Sequence, residues 1–117
     1  MLEKLKPHEK IDFKRYLSGK VSQTQLANSI HFLSRLLYDY YQKRVFILID
    51  EYDAPLQMAY VKDEQKYLEE VTSFMRNLFS STLKNNEYLH KAVLTGILRI
   101  AKSNLFTGVN NFKEYTC

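Results

Sequence analysis

Apolar residues follow two rhythms along this chain, and the switch between them marks its elements. Between Val21 and Lys43, Leu26, Ile30, Leu33, Leu37 and Tyr40 recur every three or four residues, with Phe32, Leu36 and Tyr41 widening the stripe. That spacing puts them on one helical face, so a helix is expected over about 22–43. Ser22 with Gln25 three residues later fits a capping box, and Lys43 and Arg44 bring positive charge to the far end, where the helix dipole favours it. The rhythm then gives way to an unbroken run, Val45–Phe46–Ile47–Leu48–Ile49, which meets Asp50 and Glu51. Too short to cross a membrane, the run reads as a strand over about 45–50, buried on both faces. Helical spacing returns in Leu68, Val71, Met75, Leu78 and Phe79, and a second helix is expected over about 64–85. Ala92–Val93–Leu94, opening into Thr95–Gly96, reads as a second strand over about 91–95.

Strand, helix, strand is a βαβ unit, so the two strands should run parallel through a crossover. The fold class is therefore α/β. Residues 1–20 read as a lead-in of loop and short helical turn, ahead of a domain over 21–117. Ala54 to Asp63 reads as a connection around Pro55, Ser103 to Asn111 as turn-rich, and Phe112 to Cys117 as the start of another strand. Two parallel strands with two helices do not make a self-sufficient open sheet. An incomplete domain is expected.

Composition narrows the classes without changing this picture. With 45% apolar and 26% charged residues and a net charge of +4, the 117-residue chain is an ordinary globular sequence. The charge reads first as a scattered surface excess, and no basic run long enough for a nucleic-acid arm occurs. The single cysteine, Cys117, excludes a disulfide framework and a cysteine metal cluster. With no apolar run of transmembrane length, the expected setting is cytoplasmic, without membrane contact. His31, beside the apolar stripe, has no second His or Cys at ligand spacing and reads as a packed or surface residue.

Acids at the C-terminal end of a parallel strand sit where open α/β sheets place ligands. In P-loop hydrolases such an aspartate holds Mg²⁺ and a neighbouring residue positions the attacking water. Asp50 and Glu51 have the chemistry for those roles, although many buried strands end in a merely solvated acidic pair.

The longer pattern adds to this. Leu48–Ile49–Asp50–Glu51–Tyr52–Asp53–Ala54–Pro55–Leu56, then Leu94–Thr95–Gly96–Ile97–Leu98–Arg99–Ile100–Ala101–Lys102–Ser103, then Leu105–Phe106–Thr107–Gly108–Val109–Asn110–Asn111 resemble the AAA-ATPase-like family. That family is bacterial and often fused to PD-(D/E)XK nuclease domains. The resemblance covers about 21–117 and implies a partial P-loop NTPase-like three-layer unit. It implies Asp50 as the Walker B aspartate associated with Mg²⁺, Glu51 as the catalytic glutamate, and Thr95 as the sensor that meets the γ-phosphate or the attacking water. Arg99 is either a phosphate or partner-subunit contact or a surface ion-pair residue. Asp53 reads as a turn cap ahead of a metal contact.

One departure from the family is large. A phosphate-binding loop needs G-x-x-x-x-G-K-[ST], and none of Gly19, Gly96 and Gly108 supplies it. The expectation is a fragment carrying Walker B and sensor elements, needing a preceding P-loop segment or another chain, inactive alone and binding ATP·Mg²⁺ weakly or not at all by itself. A homo-oligomer would also fit, and nucleic acid would be involved only through a fused nuclease domain. The alternative is a non-enzymatic interaction module or relic with the same fold. A metal-dependent nuclease built on Asp50, Glu51 and Asp53 is disfavoured, because no lysine is evident beside the acids on a neighbouring strand.

Overall fold

A computed structural model describes residues 2–62, 64–97 and 105–106. After a 3₁₀ turn at Leu2–Lys4 come helices α1 (Pro7–Ser18), α2 (Gln23–Ala27) and α3 (Ser29–Tyr41). Strand β1 (Val45–Ile49), helices α4 (Ala54–Lys62) and α5 (Gln65–Leu83), and strand β2 (Leu89–Leu94) follow.

Local chemistry explains most of these boundaries. Pro7 opens α1 at its first turn, where its missing N–H costs nothing. Gly19 closes α1 in the left-handed conformation at φ 75°. Its N–H reaches Tyr16 O at 3.3 Å while Lys20 N–H reaches Arg15 O at 3.1 Å, the paired bonds of a Schellman closure. This helix is much longer than the short turn expected there. The Ser22–Gln25 capping box forms as read from the sequence, with the Gln25 N–H bonding Ser22 Oγ at 3.2 Å and the Ser22 N–H bonding Gln25 Oε1 at 2.9 Å. The helix expected over 22–43 is two helices, broken at Asn28 (φ −97°, ψ 5°). The connection expected over Ala54–Asp63 is mostly helix α4.

The strands form a two-stranded parallel sheet, as the βαβ reading requires. Val45 pairs with Leu89 and Phe46 with Lys91, so His90 is bulged out. Its ring meets Phe46 edge-on at 5.0 Å. Helices α2, α3 and α4 all pack on α5. The core gathers Tyr52, Leu56, Met75, Phe79, Leu105 and Phe106, with Ile49 and Leu94 packed against it. The Tyr52, Phe79 and Phe106 rings stand 5.1 to 6.2 Å apart, beneath the C-terminal ends of both strands. Burying a side chain of this size stabilises by about 2–3 kcal/mol.

The expected burial of β1 on both faces is not what the structure has. Val45, Ile47 and Ile49 are half-buried, but Phe46 is 65% and Leu48 76% exposed, as is Val93 at 56% on β2. An unbroken apolar run permits burial on both faces. Among the described residues, this sheet has a packed inner face and an open outer one. Parallel strands and packed helices establish a mixed α/β arrangement. Arg99, Phe112–Cys117 and most of Ser103–Asn111 lie outside the described residues.

Candidate functional site

Strand alternation carries Phe46 and Leu48 to the outer face, and continued one step it brings Asp50 to the same side. Glu51 then turns the chain with φ 52°. Both acids are exposed, whereas Tyr52 and Asp53 immediately after them are buried. The chain thus turns two carboxylates outward and the next two side chains inward.

Parallel pairing brings the exit of β2 alongside this turn. Thr95 N–H bonds Ile49 O at 2.9 Å, and Tyr52 N–H bonds Thr95 O at 2.8 Å, extending the ladder past the strands. The Thr95 hydroxyl stands between the acids. It donates to the Asp50 carboxylate and accepts the Glu51 N–H at 2.9 Å. One hydroxyl using donor and acceptor capacity together joins the two loops, 44 and 45 residues apart. Of the four residues expected at the site, Asp50, Glu51 and Thr95 are brought together.

Residues 2–106 match the family described as "Predicted AAA-ATPase". The chain belongs to the AAA-ATPase-like family. Over 72 residues it is 32% identical to the "uncharacterized protein in vnfD 5′ region" of Azotobacter chroococcum mcd 1. The aligned stretch is 62% of this chain and 14% of that protein. No solved structure matches the chain.

Three residues of this AAA-ATPase-like chain complete the loops without having been singled out as site residues. Asp53 is 0% exposed, and its Oδ2 accepts the Ile97 N–H at 2.9 Å. Its main-chain oxygen accepts the Gln57 N–H at 3.0 Å, so Asp53 begins α4 and also ties its carboxylate to the other loop. Gly96 lies so close to Tyr52 that a β-carbon there would stand 2.2 Å from the ring. A glycine just after Thr95 and an aromatic just after the acids were the available signals, but only the fold sets them against each other.

Among the described residues, no three His, Cys, Asp or Glu side chains converge to hold a metal ion. His31 lies half-buried with its ring 5.8 Å from that of Tyr88. No helix among them is long and apolar enough to cross a membrane.

Proposed function

We propose that this chain supplies the metal- and water-handling part of an ATP-hydrolysing site. The observation that carries this reading is the Thr95 hydroxyl joined to the Asp50 carboxylate and the Glu51 N–H at the C-terminal ends of two parallel strands. Membership of the AAA-ATPase-like family supports it.

In this reading Asp50 is the Walker B carboxylate. One exposed carboxylate beside a hydroxyl suits Mg²⁺, which takes one or two carboxylates and completes its shell with phosphate oxygens and water. Bound there, Mg²⁺ would neutralise charge building on the transferred phosphoryl group. Glu51, exposed and adjacent, orients and deprotonates the attacking water, which requires hydrogen-bond reach of its proton. Thr95 holds Asp50 in orientation and is the sensor for the γ-phosphate or the water. Arg99 is proposed to contact phosphate or a neighbouring subunit.

The phosphate cradle would come from a preceding segment with G-x-x-x-x-G-K-[ST] or from another chain. The open outer sheet face lies on the Asp50 side, so a segment covering Leu48 and Val93 would also reach the site. A fusion placing a strand–loop–helix unit with that motif ahead of residue 1 tests the reading. It should hydrolyse ATP with Mg²⁺, and Asp50→Ala or Glu51→Gln should abolish turnover, while the isolated chain binds ATP·Mg²⁺ only weakly. Micromolar ATP affinity of the isolated chain, lost on Asp50→Ala, would overturn the division of labour.

The exposed apolar face favours a second reading, a non-enzymatic module that pairs with another chain or a second copy of itself. A stable monomer in sedimentation would count against it.

A further inference from the structure

We propose that Asp53 is a positioning residue for the candidate site, holding the exit of β2 so that the Thr95 hydroxyl stays between Asp50 and Glu51. The catalytic consequence rests on the ATP-hydrolysing reading; the positioning itself does not.

Thr95 is exposed, and an exposed hydroxyl readily exchanges a carboxylate partner for water. Its own bonds to Asp50 and Glu51 are therefore weak means of holding two loops in register. The stronger hold lies on either side of it. Ahead of the side chain the Thr95 N–H is fixed on Ile49 O at 2.9 Å, and after it Thr95 O is fixed by the Tyr52 N–H at 2.8 Å. Gly96 then lies flat against the Tyr52 ring, with no room for a β-carbon. Next, the Ile97 N–H is taken by Asp53 Oδ2 at 2.9 Å.

Asp53 suits this task through its surroundings. A carboxylate removed from water is costly unless it is hydrogen-bonded, so a fully buried one resists leaving its partners. Its backbone starts α4, where the Gln57 N–H meets Asp53 O and the positive end of the helix dipole suits a carboxylate. The latch is thus anchored on a helix. With its backbone pinned on both sides, Thr95 has only a stiff β-branched χ1 left to set, and that rotamer faces Asp50. Asp50 and Glu51 meet the ligand, while Asp53 acts on them through Thr95.

Amide hydrogen exchange of the labelled chain, compared among wild type, Asp53→Asn and Asp53→Ala, tests this. Asparagine keeps an acceptor oxygen for Ile97 and should leave exchange close to wild type. Alanine should quicken exchange at Ile97, and through Thr95 at Glu51, by about tenfold, the factor of one net hydrogen bond. The β1–β2 ladder should keep its protection. In the P-loop fusion, Asp53→Ala should lower kcat for ATP by about 10- to 100-fold at little-changed KM, and Asp53→Asn should restore it. Should alanine fail to fold, Asp53→Ser, whose shorter side chain cannot span to Ile97, takes its place with the same expectation. Unchanged exchange at Glu51 in the alanine or serine variant would overturn the proposal, as would an asparagine variant as loosened as alanine. A folded wild-type fusion without turnover rejects the ATPase reading, and the exchange comparison still decides the positioning.

Discussion

Glu51 holds the left-handed backbone conformation at φ 52°, where a β-carbon costs about 1–2 kcal/mol. The strain lies at the acid expected to handle water. Glycine there should relieve it, so Glu51→Gly should raise stability by about 0.5–1 kcal/mol in thermal unfolding, net of the looser unfolded chain. The same variant should lose ATP turnover in the P-loop fusion. At Gly96 the opposite holds. Tyr52 is buried against Phe79 and Phe106, so its ring cannot swing away from a new methyl group 2.2 Å distant. Gly96→Ala should lower the urea midpoint by the equivalent of about 1–3 kcal/mol. That Asp50, Glu51 and Thr95 stand close together was legible, because Asp50–Glu51 and Thr95 follow the apolar runs of two strands expected to be parallel. For Asp53 only a local turn-capping role was legible and for Gly96 none, because their partners lie in the other loop, 44 residues away in the case of Asp53 and Ile97, and no local spacing encodes that contact.

Among the elements, periodicity located the two long helices and both strands, and it erred where a single residue outweighs the pattern. Both prolines sit in the first turn of a helix, Pro7 in α1 and Pro55 in α4, although Pro55 reads equally well as a turn signal. Asn28 interrupts an unbroken apolar stripe because its short polar side chain competes with helical bonding. That side chain instead accepts the Ser81 hydroxyl of α5 at 2.6 Å. Helix α1 is tied down by Tyr16, whose hydroxyl donates to Gln25 O at 2.8 Å and whose ring packs on Phe32 at 5.1 Å. Burial first, and the charge of Asp12 second, push the Tyr16 phenol above its ordinary 10.0. The folded chain therefore holds this proton more tightly than the unfolded one. That contribution is complete below about pH 10 and is lost as pH rises through the folded value. Tyr16→Phe should cost about 1 kcal/mol at neutral pH and flatten the alkaline loss, as read by denaturation at pH 8 and pH 11.

At the scale of the whole molecule, the sheet is open. Phe46, Leu48 and Val93 share an outer face that is more than half exposed at each position, and among the described residues the sheet has two strands, each with one edge unpaired. Such a surface drives association. Sedimentation of the isolated chain should show self-association that Leu48→Lys weakens. Because Leu48 makes little contact within the chain, the substitution should move its thermal stability by less than about 0.5 kcal/mol. A monodisperse wild-type monomer would contradict this. The sequence pattern predicts two parallel strands, and among the described residues the sheet has those two. Which side is open was not legible, because an unbroken apolar run does not distinguish its two faces.

The crossover between Asp50 and Thr95 also governs when the site comes into being. The side-chain bonds that link its two loops each span 44 or 45 residues, while the helices between and before them close over four. Contacts of such long range form only after chain entropy has been lost, and they come late on the folding route. The nascent chain therefore acquires its helices well before its two loops are joined. A small molecule that recognises the joined loops would slow unfolding while leaving the folding rate untouched, so residence time in the native state would be set by the ligand and arrival there by the helices.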